Sequence, residues 1–194
     1  MNDQKQAVIR QATEKDRDFL TLVVAEAVGY EVMEQAGQGL LTDETREWLG
    51  RLAATITDDA TLYTWHHALV AEVDGTPVGA LICYPGDDYM QRREHTFQLV
   101  ADLIDFDIHT MDAETVEGEF YLDSLAVLPS QRGKGIARML LCEGIRKGEM
   151  LHRPNVLACS PENPNARRLY ESLGFRVDGE RFIFGENYLR MVKD

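Results

Sequence analysis

The chain has 194 residues and a formal net charge of -13 at pH 7. That length can bury a core without disulfides or metals, and that charge disfavours nucleic acid and anionic membranes as partners. No apolar run approaches the ~20 residues of a bilayer span, and the N-terminal MNDQKQ lacks the apolar core of a secretory signal, so a cytoplasmic location is expected.

Taken in order, Val8-Ile9-Arg10 is a short strand, and Thr13 with Asp16 is a helix N-cap pair. Phe19, Leu22, Val23 and Ala27 give the first helix its apolar stripe. Residues 29–41, rich in Gly, Glu and Gln, read as a break. A second helix starts at Thr42 or Asp43 and carries Trp48, Leu49, Leu52 and Ile56. Strands Ala68–Val73 and Val78–Tyr84 are joined by the two-residue turn Asp74-Gly75. No repeat, linker or low-complexity segment interrupts the chain, so one domain is expected over 1–194. Cys83, Cys142 and Cys159 sit in apolar segments without metal-ligand spacing and are expected as reduced core residues.

Residues 85–118 form a long connection. Tyr89, Phe97, Val100, Ala101 and Ile104 recur at helical spacing, which predicts an amphipathic helix from Asp88 to Asp105. A long segment of this kind inside a compact domain is often functional. A lid, an acceptor-site wall, a homodimer contact and a solvated decoration are all compatible with it. His95 and His109 lack metal-ligand spacing, and no metal site is expected.

The stretch 119–141, EFYLDSLAVLPSQRGKGIARMLL, is the informative one. Strict alternation puts Phe120, Leu122, Ser124 and Ala126 on one face and Tyr121, Asp123, Leu125 and Val127 on the other. Pro129 ends pairing, Gly133-Lys134-Gly135 follows, and Ile136, Leu140 and Leu141 begin a helix. Strand, glycine loop and helix start make an anion site, because the first helical N–H groups lack acceptors and the macrodipole is positive there. Arg132, Lys134 and Arg138 add charge. The spacing excludes a P-loop and a GxGxxG dinucleotide fingerprint. Farther on, Asn155–Cys159 is a strand, Asn163-Pro164 caps a helix with Ala166, Leu169, Tyr170 and Leu173 on one face, and Gly174 stops it. Phe175–Val177, Arg181–Phe184 and Tyr188–Val192 close the sheet. The fold class is α+β: a mixed, mostly antiparallel sheet of about seven strands with about four helices on its two faces.

Arg132-x-x-Gly135-x-Ala137 after a Leu-Ala-Val strand end resembles motif A of the Gcn5-related N-acetyltransferases, and Asn163, Ala166, Leu169, Tyr170, Gly174 and Phe175 fit a second segment of that family at matching distance. The resemblance is close over 119–178 and holds in outline before it, where β-α-α-β-β matches the family's opening order. It implies splayed central strands and acetyl-CoA as cofactor. Arg132, Gly133, Lys134, Gly135, Ile136 and Ala137 would hold its diphosphate, the N–H of Leu125 its thioester carbonyl, and Val127 and Asn163 its pantetheine arm. Tyr170 falls where the family commonly keeps the tyrosine that protonates the leaving thiol. Family members with a strand glutamate or histidine base carry it at the positions of Tyr121 and Asp123; the first is a tyrosine here, so Asp123 is the expected base, with Glu119 as the alternative. The family usually joins these strands by a short connection, so 85–118 reads as an insertion.

The expected activity is transfer of an acetyl group from acetyl-CoA to a primary amine of a small cationic molecule, by direct attack in a ternary complex. Acetylation of a protein N-terminus or lysine is the alternative within the enzyme class, and a noncatalytic acyl-CoA-binding sensor or interaction module is the alternative outside it. Glu31, Glu34, Tyr121 and Asp123 are the expected acceptor contacts. The carboxylates Asp102, Asp105, Asp107, Asp112, Glu114 and Glu117 would draw a cation toward the insertion.

Overall fold

The computed structural model describes residues 6–101, 103 and 107–194. In chain order its elements are β1 Val8–Gln11, α1 Arg17–Ala27, α2 Val32–Gln38, α3 Asp43–Leu52, α4 Ala54–Thr57, β2 Ala68–Val73, β3 Thr76–Pro85, α5 Tyr89–Leu99, β4 Phe120–Val127, α6 Ile136–Met150, β5 Asn155–Cys159, α7 Pro164–Ser172, β6 Arg176–Ile183 and β7 Glu186–Lys193. The strands form one sheet in the order β1-β2-β3-β4-β5-β7-β6, antiparallel except for β4 with β5. This is the expected α+β class.

Local chemistry explains most boundaries. The Asp16 carboxylate accepts from the Thr13 N–H at 2.8 Å and from Arg10, which fixes the entry to α1. The Thr42 hydroxyl caps α3 by accepting from the Thr45 N–H at 3.1 Å. Asp74 and Gly75 both take the positive φ that a two-residue hairpin turn requires (54° and 74°).

The residues read as a break, 29–41, contain α2. Its N-terminus is capped from another helix: Glu26 of α1 accepts the Met33 N–H at 3.1 Å, and Val32 and Met33 are buried. The buried stripe of α1 is Leu20, Val23 and Val24, with Phe19 and Leu22 half-buried and Ala27 exposed. Seven helical segments stand among the described residues where about four were expected. Arg176 to Ile183 is one strand with an irregularity between Val177 and Gly179, in place of two short ones. Cys83 and Cys159 are buried as expected, but Cys142 is exposed.

One apolar cluster lies on each face of the sheet. On the first, α1 to α5 pack on Val70, Ile82, Tyr84 and Tyr121. On the second, α6 and α7 pack on Leu81, Leu122, Val127 and Leu157. Helix α6 lies unusually close to the sheet: a Cβ at Gly144 would stand 2.6 Å from Leu81 Cδ2, and one at Gly148 would stand 2.3 Å from Asn155 Oδ1. The two glycines thereby set the height of the helix whose N-terminus opens onto the loop 133–135.

Within the insertion, α5 ends at Leu99; Asp102, Ile104 and Asp105 lie outside the described residues. The helix is fixed across the first face by the Thr96 hydroxyl, which accepts the Leu62 N–H at 2.8 Å, and by Arg92 on the Asp59 carbonyl at 2.7 Å. The segment after it folds over the end of β6: the Asp112 N–H donates to the Phe182 carbonyl at 2.9 Å, and the Phe182 N–H returns to the Asp112 carboxylate at 2.8 Å.

Candidate active site

The centre of β4 is irregular in two ways. Its register with β3 shifts between Leu81↔Leu125 and Cys83↔Leu122, so Ile82 faces both Asp123 and Ser124. Such a bulge inverts side-chain alternation beyond it. Strict alternation is therefore corrected: Tyr121 and Ala126 belong to the first face, while Phe120, Leu122, Leu125 and Val127 belong to the second. Asp123 and Ser124 both line a cavity on the first face. Asp123 thus faces away from Leu125, not with it.

The second irregularity is a splay. Strands β4 and β5 pair only at Phe120↔Asn155 and Tyr121↔Val156, and from Leu122 onward β4 has no partner on that edge. The Leu128 N–H donates to the Val78 carbonyl toward β3. Since backbone groups alternate edges along a strand, the N–H groups of Val127 and Leu125 point into the splay.

Two carboxylates meet on the first face. Asp123 accepts from the Tyr84 hydroxyl and, at 2.7 Å, from the Ser124 hydroxyl. Glu114, from the insertion, accepts from the hydroxyls of Tyr121 at 2.7 Å and Tyr89 at 3.1 Å. Both are half-buried and line the same cavity. Burial raises the Asp123 pKa against the effect of its two hydrogen bonds. Glu114 is raised by burial and then by repulsion from Asp123; Tyr121, Tyr89 and Arg93 oppose this. Ionising one of two carboxylates so placed raises the cost of ionising the other. Arg93 is buried, its guanidinium donating to the carbonyls of Ile108, Met111 and Asp112, which ties the cation beside the pair to the insertion. Burial also raises the phenols of Tyr63, Tyr84 and Tyr121, so they stay neutral donors.

The folded protein keeps a proton on this pair at pH values where the unfolded chain has lost it. Stability contributed by the pair is therefore full near the unfolded carboxylate pKa of about 4 and falls as pH rises through the raised folded value, about 7 for Glu114. Glu114→Gln is expected to flatten the dependence of Tm on pH between about 5 and 8, and to melt above the parent at about pH 8. Thermal melts followed by circular dichroism check this; an unchanged slope would mean that Glu114 ionises freely in the folded state.

The cavity at the pair has a volume of about 80 Å³ and is walled by Ala27, Val28, Tyr63, Ile183, Phe184 and Tyr188 beside the two carboxylates, Tyr121 and Ser124. Of the expected acceptor contacts, Tyr121 and Asp123 line it; Glu31 and Glu34 are exposed on or next to α2 and line neither this cavity nor its neighbour. Asp107 caps its own turn by accepting the His109 N–H at 2.9 Å, and Asp112 is held by Phe182. Glu119, the alternative base, is bound by Arg190, Thr115 and the Val116 N–H. Glu114, which lines the cavity beside Asp123, entered the sequence reading only as one of the insertion's acids. Its uncharged neighbours Ala113 and Thr115 set it apart only weakly from the other acids.

On the other side of the splay, the loop is shaped for an anion. Gly133 and Gly135 take φ of 76° and 81°, and among the described residues nothing lies within 4 Å of the place of either Cβ. The N–H groups of Gly133, Lys134 and Gly135 make no hydrogen bond among the described residues, and those of Ile136 and Ala137 open α6. An anionic diphosphate fits this cradle of free donors. Arg132 turns back instead: it donates to the Val127 carbonyl at 3.0 Å and to Glu26 at 2.9 Å, pinning the loop to α1. Lys134 reaches Gln131 at 2.9 Å. Asn163 caps α7 by accepting from the Ala166 N–H at 3.0 Å, which leaves its amide group free to donate. Tyr170 packs edge-on to Phe175 with ring centroids 6.2 Å apart. Burial pushes its phenol up to about 12, so it holds its proton at neutral pH.

Residues 38–175 match the model of the acetyltransferase (GNAT) family. No curated protein matches the chain. Among solved structures, an N-acetyltransferase from Staphylococcus aureus Mu50 superposes with a TM-score of 0.74 at 24% identity, over 96% of this chain and 100% of that one. An acetyltransferase at 26% identity gives 0.73 over 96% and 98%. The PaiA N-acetyltransferase of Thermoplasma acidophilum, solved in complex with coenzyme A, gives 0.56 at 16% identity, over 97% and 99%.

Proposed function

The chain belongs to the GNAT family and is therefore an acetyl-CoA-dependent N-acetyltransferase; from that premise we propose that its acceptor is the primary amine of a small cationic molecule, which meets Asp123 on the first face of the sheet. The observation that carries this is that Asp123 and Glu114 line one small cavity of about 80 Å³. A protein N-terminus or lysine would need an open groove there.

Bound in the splay, acetyl-CoA supplies an activated acetyl thioester. The N–H groups from Gly133 to Ala137 would hold the diphosphate, Val127 and the Asn163 amide would hold the pantetheine arm, and Lys134 would add charge. The role of Arg132 is to position the loop through Glu26 and Val127. The Leu125 N–H, which points into the splay, would donate to the thioester carbonyl oxygen. These contacts lie at the splay and on the second face, and the amine approaches from the first.

An alkylammonium near pKa 10 must lose a proton before it can attack. An ordinary carboxylate is too weak a base for this, but burial beside Glu114 raises Asp123 and narrows the gap. Asp123 takes the proton from the amine nitrogen, directly or through one water, and Glu114 and the buried tyrosines keep its oxygens oriented. As the N–C bond forms and the C–S bond breaks, Tyr170 would give its phenol proton to the sulfur, and the second proton shed by the acylated nitrogen would restore the phenol through solvent.

Tyr170→Phe preserves the ring contact with Phe175 and removes only the hydroxyl. Turnover should fall by about 10²-fold, the low end for general acid catalysis because a thiolate of pKa about 8.5 leaves readily. CoA affinity should be unchanged. Wild-type turnover where chemistry limits the rate would return Tyr170 to a packing role. The reading as a whole is tested by release of free thiol from acetyl-CoA against a panel of small amines and peptides. CoA binding with no thiol released by any of them would make the protein a sensor.

A further inference from the structure

We propose that the acceptor is a primary monoamine carrying a compact apolar body of about the size of an aromatic ring, and that this body occupies a second cavity adjoining the carboxylate pair. The inference rests on the acetyltransferase reading above and specifies its substrate. The second cavity has a volume of about 240 Å³ and is walled chiefly by Tyr30, Trp48, Tyr63, Phe97, Phe184 and Val28. Val28, Tyr63 and Phe184 also wall the cavity at Asp123 and Glu114, so the two spaces meet along these three side chains.

The walls indicate what fits. No charged residue lines the larger space among the described residues; its remaining lining is Val24, Leu52, Val100 and Leu103. Its rings already pack on one another, Tyr30 with Trp48 at 4.6 Å and Phe97 with Phe184 at 5.9 Å between centroids. At the mouth, Val28 and Tyr30 are 40% and 48% exposed, apolar surface that an apolar ligand would cover. A cavity of roughly 150 Å³ admits a benzene ring, so the larger one holds a ring with a short chain and the smaller one the amino group.

Charge separates this acceptor from a polyamine. The single ammonium of a monoamine meets its counter-charge at Asp123 and Glu114. The second ammonium of a diamine would be desolvated among apolar walls, and cation–π attraction to the rings offsets only part of that loss. Apolar surroundings also favour the neutral amine, the form that attacks.

The test compares kcat/KM for 2-phenylethylamine and cyclohexylmethylamine with that for 1,4-diaminobutane, spermidine and a lysyl peptide, by thiol release from acetyl-CoA. The apolar amines should lead by roughly 10- to 100-fold, the factor expected for burying a ring-sized group. In Trp65→Phe protein, 2-phenylethylamine should change the emission of Trp48 saturably without any turnover. Val28→Asp places a carboxylate on the shared wall and should cut the preference at least about tenfold. Phe97→Ala, which removes one wall from the insertion, should do the same if the first variant fails to fold. Thiol release fastest with a diamine or peptide, or no response of Trp48, would overturn the inference and leave the acetyltransferase reading standing. Tight CoA binding with no thiol released by any amine would overturn both.

Discussion

Asp123→Asn lowers kcat/KM for the acceptor by about 10²- to 10⁴-fold, the range lost with a general base, while CoA affinity is unchanged. The asparagine keeps the size of the side chain and one accepting oxygen for Tyr84 or Ser124, while the other hydroxyl must turn to accept from its amide group, but it cannot take a proton from an ammonium. Because the substitution removes a carboxylate that burial makes costly to ionise, the variant should be no less stable than the parent near neutral pH. The parent rate should rise with pH as Asp123 ionises. In Glu114→Gln that rise should move to lower pH, since the charge opposing ionisation of its neighbour is gone. A merely structural Glu114 would not move the profile. An Asp123→Asn protein that keeps the parent rate where chemistry is limiting would displace the base from this pair.

Gly135→Val abolishes acetyl-CoA binding in a protein that still folds. The position has φ of 81°, which a β-branched residue adopts only under strain, but an added Cβ meets no protein atom within 4 Å. The side chain would instead stand in the open space before the amides of 133–137 and turn them out of alignment. Loss of two charge-assisted hydrogen bonds corresponds to an affinity drop of at least ~10²-fold. Calorimetry with CoA, paired with thermal melts, reads the two effects separately. Unchanged affinity in folded Gly135→Val would remove the loop from the cofactor site.

Features that depend on a few neighbouring residues were legible in the chain alone. The Thr42 and Asn163 caps, the Asp74-Gly75 hairpin and the stop at Gly174 each rest on one or two local hydrogen bonds or one glycine φ, and the structure has all of them. The same holds for the loop 133–137, whose free donors follow from a strand, two glycines and a helix start. Helix α2 was not legible, because its cap comes from Glu26 on a different helix and carries no mark within residues 29–41.

The face of Asp123 shows why alternation alone falls short. A period of two fixes the side of every strand residue only if the register is unbroken, and the shift opposite Ile82 inverts every position after Asp123. The chain itself thus determined a glycine loop of free amide donors after a strand that bears a carboxylate, a tyrosine on the last helix, and an α+β sheet to hold them, since each is encoded by spacing within one or two elements. Tertiary structure alone decided that Glu114 comes back over β6 to stand beside Asp123, that burial raises both, and that rings from α3, α5 and the β6–β7 turn enclose an apolar space next to them. Burial, charge repulsion and cavity walls are properties of residues far apart in sequence, and no local pattern carries them.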